Sequence, residues 1–508
     1  MIPSDSGNLG DIFAEHSTSA RVAVIDLYDP KDPKEYTFQE FNAACDAAAN
    51  GLLIAGIEPG DRIGILALNR VEYLEVLFGA MRAGCVPVMI NIKLTDDVIE
   101  YIVNDAAMKI VFADADQLGR VPKGARAVSF GDGTDKYTEF AMPADSPFPS
   151  FFPGPRDIAE QPYTSGSTGR PKGVLLDHAG QVWMIKKIVE SRDIRDDDCS
   201  VISAPLYHKN ALLAVKSALC AGGRVVLFSR FDAKEYVRAI ATYKLTMLTG
   251  VPTMYALILQ ETELLAGTDL SSVRNCSMGS APASGNLLDN LAATFPKARL
   301  NLNYGITEGG PILFAWKHPE GLPRPRTSVG FPIAGVEIKL VGGNDENQGV
   351  LHVKSPGVMQ GYHNLDGETQ SVLSEDGWLN TGDILRRDKI GWYYFVDRAD
   401  DMFVCAGENI YPGEVEAMLE RHAEIVQAVV VPAPNTLKAS VPYAWVVNVP
   451  GSDLNEETVK EYALEHGPAY AHPRRVFFVQ ALPLSGTNKI DRRMLEAKAV
   501  ELAREEES

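Results

Sequence analysis

The apolar and polar positions of the first half of the chain alternate between a helical and an extended period. Phe38, Phe41, Cys45, Ala48 and Leu52 recur at helical spacing behind Thr37 and Glu40, which stand in capping-box order. Gly60-Asp61 then turns into the apolar run Ile63 to Leu68, which reads as a buried strand. Arg70 to Arg82 is helical again and is stopped by Gly84, and Cys85 to Ile92 predicts another strand. Gly222-Gly223 leads into a further strand from Arg224. Such alternation predicts layered α/β structure. From Gly330 to Tyr362 the pattern changes to short alternating strands, Val336 to Val341 and Val350 to Val353, around a turn, which predicts a small β subdomain. Beyond Asp397 a compact segment of about a hundred residues has its own helix, strand and loop pattern. Asp132 to Pro155, rich in Pro, Gly and Asp, predicts a connecting loop.

The 508 residues exceed one ordinary core and are 45% hydrophobic, so two or more globular domains are expected. A formal net charge of -19 argues against nucleic acid as a partner but leaves room for a locally basic cleft that takes a small anion. None of the six cysteines forms a CxxC pair, so neither a zinc site nor a disulfide framework is suggested. No apolar run is long enough to span a membrane. Met1 to Gly10 lacks the features of a secretory signal, and the closing residues are no peroxisomal address, so a reducing cytoplasm is expected.

The most informative run is Tyr163 to Gly173. It sets Gly166, Gly169 and Gly173 among Thr164, Ser165, Ser167 and Thr168, with Lys172 behind them. Glycines let several backbone N–H groups converge, and hydroxyls and an ammonium add donors, so the loop suits a polyphosphate. Pro171 before and Gly173 after the lysine exclude a Walker loop. By composition alone it is also a surface loop. Further on stand Gly279-Ser280-Ala281-Pro282, Asn303-Tyr304-Gly305-Ile306-Thr307-Glu308, Leu379-Asn380-Thr381-Gly382-Asp383, Asp397-Arg398-Ala399-Asp400-Asp401 and Leu482 to Ile490, which contains Lys489. Residues 467–493 carry five Lys/Arg against Asp491 alone, a local charge reversal that suggests an anion-facing surface.

In order and approximate spacing these motifs resemble the adenylate-forming superfamily, and among its members the acyl-CoA synthetases of the aryl-acid:CoA ligase type. The resemblance spans residues 163 to 493. It implies an α/β fold: a large N-terminal domain, 1–398, of layered α/β subdomains plus a small β subdomain, and a small mobile α+β C-terminal domain, 399–508. It implies ATP, Mg²⁺ and CoA as cofactors and a small-molecule carboxylic acid as substrate; a homodimer is compatible with it. By resemblance Thr164 to Gly169 and Lys172 handle the ATP phosphates, Gly279 to Pro282 line the adenine, and Asn303, Tyr304 and Gly305 continue that wall. Thr307 meets the α-phosphate and Glu308 holds the metal. Asp383 takes the ribose hydroxyls, Arg398 contacts the nucleotide, Asp400 is the hinge, and Lys489 is the catalytic lysine.

Pro205-Leu206-Tyr207-His208 matches the family's aromatic-His element, which makes His208 the gate of the acid pocket, with Ala281 and Gly305 beside it. Lys209 and Asn210 follow where many relatives are apolar; they either meet a polar substituent on the acid or point away. For CoA the matching positions are Lys93, Gly407, Glu408, Tyr470, His472 and Arg474, without the tryptophan that relatives place near Leu437. The expected activity is ATP-dependent acid:CoA ligation through an acyl-adenylate, on an aromatic or cinnamic-like acid. The alternatives are an enzyme loading a carrier-protein thiol and a medium-chain acyl-CoA synthetase. Two departures from the family stand out: Ala159-Glu160-Gln161-Pro162 is polar for a strand, which predicts weak sheet pairing, and Asn364 to Glu368 is an unusual form of the Pro-Glu-x-Thr element.

Overall fold

A computed structural model describes residues 7–143, 146–165, 170–281, 283–310, 312–405, 407–436, 438–449, 451–483 and 490–507. The predicted helix runs Phe38–Ile54, and its capping box is complete: the Glu40 amide donates to the Thr37 hydroxyl and the Thr37 amide to the Glu40 carboxylate. The next helix, Val71–Arg82, ends where Gly84 takes φ 75°. There the Cys85 amide reaches back to the Ala80 carbonyl and the Gly84 amide to that of Met81, a closure only a residue at ease in left-handed backbone makes without strain.

Strands Val86–Met89, Arg62–Leu66, Ile110–Ala113 and Arg126–Ser129 form an all-parallel sheet in that order. A second sheet runs Arg299–Leu302, Asn275–Met278, Met247–Gly250, Cys199–Ile202, Arg224–Phe228 and Val22–Leu27, all parallel, with Lys34–Thr37 added antiparallel at the edge. The central strands of both are buried along their length, as sheets covered on both faces by crossover helices must be. The predicted β subdomain is an antiparallel sheet of Glu337–Asp345, Gln348–Lys354, Leu379–Arg387 and Tyr393–Arg398.

Two expectations are corrected. The stretch from Asp132 to Pro155 contains a helical turn, Tyr137–Phe140, because both aromatic rings reach the core and the Tyr137 hydroxyl donates to Glu75 at 2.9 Å. The polar strand Ile158–Glu160 pairs antiparallel with Pro171–Asp177, and Glu160 is fully buried within the large core. Its charge is matched by lysines on another element, so polarity does not weaken the strand.

The apolar side chains separate into cores. One extends from Leu9 to Tyr393, with a smaller one over Leu66 to Ala113, and another from Phe403 to Ala503. The last surrounds a sheet of Glu408–Ile410, Phe403–Cys405, Ala439–Asn448 and Ile425–Asn435, with Arg475–Phe478 also on Ala439–Asn448. This is a mixed α/β fold with a large N-terminal and a small C-terminal domain.

Candidate active site

In an open parallel sheet the carboxyl ends of the strands release their loops on one side, and ligands collect there. Three of the predicted motifs leave the second sheet in this way. Cys199–Ile202 leads to His208, Asn275–Met278 to Gly279, and Arg299–Leu302 to Asn303. The loops touch: a Cβ on Gly279 would lie 3.3 Å from the Asn303 Cβ and 3.9 Å from the Asn210 amide nitrogen. Ser280 stands in left-handed backbone, φ 69°, a conformation costly for a side-chain-bearing residue and found most often where function fixes the chain.

The signature segment enters beside this edge as Tyr163–Ser165, paired with Pro171–Asp177. The Thr164 hydroxyl donates to Glu308 Oε1 at 3.2 Å, and the Tyr362 hydroxyl donates to the same oxygen at 3.1 Å. The Glu308 backbone is pinned separately, its carbonyl accepting from the Met359 amide at 2.8 Å. Lys172 pairs with Glu368 and lies 5.1 Å above the Tyr362 ring. Gly166, Ser167, Thr168, Gly169, Pro282 and Lys489 lie outside the described residues, as do the side chain of Ser165 and the position near Leu437.

A second cluster joins the motifs that contain Tyr304 and Asp383. Tyr304, buried, donates its hydroxyl to Asp383 Oδ2 at 2.7 Å, and burial with that carboxylate raises its pKa well above the ordinary range. Arg398 Nε stands 3.6 Å from Asp383 Oδ1, and Gly382, at φ 70°, makes the turn that presents the aspartate. Asp397 accepts from the backbone amides of Arg398 and Gly413, both at 2.8 Å, linking the two domains. Burial lifts its carboxyl to about 6 against the pull of those amides. Asp400 sits in the turn between Tyr393–Arg398 and Phe403–Cys405.

His208 precedes helix Lys209–Cys220, its ring edge-on to Tyr207 at 4.7 Å between centroids. The sequence left the direction of Lys209 open. The structure turns its ammonium to Glu160 and to Gln181 Oε1, the latter at 2.7 Å, and brings Lys216 to Glu160 at 2.6 Å. The expected role of Lys209 toward a substituent of the acid is corrected accordingly, because a carboxylate already holds that charge. Burial alone would raise the Glu160 carboxyl, but the two ammonium groups bring it down to about 2; burial lowers Lys209 to about 8 despite Glu160. Asn210 makes no hydrogen bond through its side chain among the described residues, so the polar face at this point is its amide.

The CoA candidates stand on separate elements. Lys93 is exposed beyond Val86–Met89, and Gly407 and Glu408 are exposed at the turn into Glu408–Ile410. Tyr470 is exposed, and the His472 ring lies against the Arg474 guanidinium ahead of Arg475–Phe478. The local basic surplus is partly spent inside the domain: Arg492 pairs with Glu416 at 2.6 Å and Arg475 with Glu456 at 3.1 Å.

Tyr362, Glu368, Glu160, Lys216 and Arg192 were not anticipated. Lys216 had a signal, being seven residues after Lys209 and so on the same face two turns on, in a helix with no other charge. Glu368 stood in the unusual Pro-Glu-x-Thr element without an assigned role, and Tyr362 had no signal, since only folding brings them to Lys172 and Glu308.

A model of the AMP-binding enzyme family matches residues 13–363, and one of the AMP-binding enzyme C-terminal domain matches residues 414–489. A 4-coumarate–CoA ligase of Solanum tuberosum is 31% identical over 496 residues, 93% of this chain and 90% of that protein. A feruloyl-CoA synthase of Amycolatopsis sp is 32% identical over 473 residues, 89% of this chain and 92% of that one. Among solved structures, ATP-bound MatB from Rhodopseudomonas palustris superposes with a TM-score of 0.90 at 26% identity, covering 98% of this chain and 99% of that one. The o-succinylbenzoate CoA synthetase MenE of Bacillus subtilis with its acyl-adenylate intermediate gives 0.82 at 27%, covering 96% and 98%. With both family models matched and a relative of 31% identity aligned over 93% of it, the chain belongs to the AMP-binding enzyme family and is an AMP-forming acid–thiol ligase.

Proposed function

We propose that this protein couples an aromatic, cinnamic-type carboxylic acid to CoA, releasing AMP and pyrophosphate. The observation that carries the reading is the meeting of Thr164, Glu308 and Tyr362 on one side and Tyr304, Asp383 and Arg398 on the other, beside the loop that bears His208. The first group suits a triphosphate and its cation, the second a nucleoside. The relatives that act on coumarate and ferulate support the class of acid.

Among the described residues no group of three or more His, Cys, Asp or Glu could hold a metal. One carboxylate with two hydroxyls around it fits a Mg²⁺ that takes most of its oxygens from phosphate and water. Glu308 would hold that ion, which would neutralise the leaving pyrophosphate. Tyr304 offers a flat buried face to adenine, Asp383 two acceptor oxygens to the ribose diol, and Thr307 a hydroxyl to the α-phosphate. The acid carboxylate attacks the α-phosphate, and Lys489 supplies the ammonium that stabilises the charge developing there. Residues 399–508 then turn about Asp400, carrying Lys489 away and bringing Gly407 and Glu408 to the thiol, with Lys93, Tyr470, His472 and Arg474 toward the CoA phosphates. His208 gates the acid.

The test is acid-dependent pyrophosphate exchange with benzoate, coumarate, ferulate, octanoate and palmitate, followed by product analysis with CoA or a carrier protein as acceptor. Highest kcat/KM for an aryl acid, with CoA as acceptor, is expected; preference for palmitate over every aryl acid would refute the reading.

A further inference from the structure

Among the described residues several buried cations have carboxylate partners. Arg82, fully buried, pairs with Asp46 at 2.7 Å and Asp11 at 3.3 Å. Arg70 pairs with Glu72 at 2.8 Å and Asp114 at 2.9 Å, and Lys209 and Lys216 share Glu160. Arg192, the last residue of helix His178–Arg192 and only 6% exposed, departs from this pattern. Among the described residues no carboxylate lies within ion-pair distance of it. Its Nη2 donates to Asn303 Oδ1 at 2.6 Å and its Nη1 reaches Ser277 Oγ at 3.5 Å, both neutral acceptors, while its Nε has no partner. The neighbouring charge is another cation, Arg324, whose donors are spent on Asn301 Oδ1 and the carbonyls of Leu302 and Ser328.

The position of this guanidinium gives it a use. Asn303 and Ser277 are held together at 2.8 Å, each at the carboxyl end of its strand, and Asn303 packs on Gly279, next to the unbonded amide of Asn210 and so to His208. Arg192 therefore stands behind the wall shared by the loops that form the candidate acid site. A buried guanidinium with spare donors is unfavourable until an anion meets it, and its planar fork matches a carboxylate.

We propose that Arg192 is a specificity-determining residue, and that the acid this enzyme prefers carries a second anionic oxygen group, a carboxylate, at the end remote from the one it activates. The distal group meets Arg192, with the amides of Asn303 and Asn210 beside it. This rests on the acid:CoA ligase reading and narrows its substrate class. A free small anion would offer Arg192 the same chemistry, so the test separates the two sources.

Pyrophosphate exchange is measured for matched acids with and without a distal carboxylate, such as cinnamate against 4-carboxycinnamate, with wild type, Arg192→Met, Arg192→Lys and Asn210→Ala. The wild type is expected to favour the dicarboxylate by about tenfold or more in kcat/KM. Arg192→Met should erase that preference, the loss in kcat/KM falling mainly on the dicarboxylate, and Arg192→Lys should recover part of it. Should Arg192→Met not fold, Asn210→Ala, expected to lower the same ratio, carries the test. Equal rates on both acids in the wild type, or equal loss on both in the variants, would overturn the proposal. So would equal rates accompanied by chloride protecting the wild type, but not Arg192→Met, against heat, which would assign the site to a free anion. Failure of every aryl acid to support exchange would refute the function instead.

Discussion

Thr164 and Glu308, 144 residues apart, meet through a 3.2 Å hydrogen bond that joins the signature strand to the second motif. Tyr362 donates to the same carboxylate oxygen, so Glu308 is held by two hydroxyls that fix its direction without neutralising it. Glu308→Gln keeps the shape and removes the charge. Adenylation should fall about 10²–10³-fold, with the loss in kcat rather than in the KM for the acid. Pyrophosphate exchange at saturating magnesium measures it, and a near-wild-type rate would remove Glu308 from the cation site.

Among the described residues Glu160 is the one carboxylate paired with Lys209 and Lys216, and all three side chains are buried. Glu160→Gln leaves two ammonium groups without a counter-charge and should cost about 3–5 kcal/mol of stability. Replacing the three together by Leu, Met and Met should cost much less, because nothing is then left buried and unpaired. Urea unfolding of both variants checks the order; a mild single and a severe triple would contradict it.

His178 accepts a hydrogen bond from the Leu9 amide at 3.0 Å, so its ring is neutral in the folded chain, and burial lowers its pKa to about 4. The unfolded chain takes up a proton on this ring near pH 6.5 and the folded chain does not. Stability is therefore full above about pH 6.5 and falls as pH drops from there to about 4, by up to about 3 kcal/mol. His178→Gln keeps an acceptor and removes the titration. Thermal unfolding from pH 7 to 4.5 should show a shallower decline for the variant; parallel curves would exclude His178 as a source of the acid sensitivity.

Lys489→Ala should abolish adenylate formation and spare thioester formation from supplied acyl-adenylate. The expected loss in the first half-reaction is about 10²–10³-fold. Adenylate made at the wild-type rate would refute the role of the lysine.

Asp400→Pro should separate the half-reactions. The neighbouring amides of Ala399 and Asp401 are bonded to the carbonyls of Gly382 and Arg398, whereas no backbone bond from the Asp400 amide occurs among the described residues. Proline should thus be accommodated in one orientation of the turn while fixing φ against rotation. One half-reaction should survive and the other fail, which single-turnover assays of each will show; equal loss of both would count against the hinge.

The residue pattern alone carried the layered α/β architecture, because buried parallel strands and amphipathic helices need apolar runs of fixed period, and the capping box of Phe38–Ile54 and the Gly84 stop are local chemistry. It also singled out Tyr304, Asp383, Thr164 and Glu308, which lie in short strings that can be read without knowledge of distant neighbours. The pairings across those strings were set by folding. Glu160 reads as a flaw in a strand until helix Lys209–Cys220 brings two lysines to it, and Lys209 reads as a substrate contact until Glu160 is seen to hold it. Arg192 is one arginine among many in the sequence. It becomes distinctive only when burial removes water and the fold supplies neutral acceptors and, among the described residues, no carboxylate, since the cost of a charge depends on its surroundings, which sequence does not list.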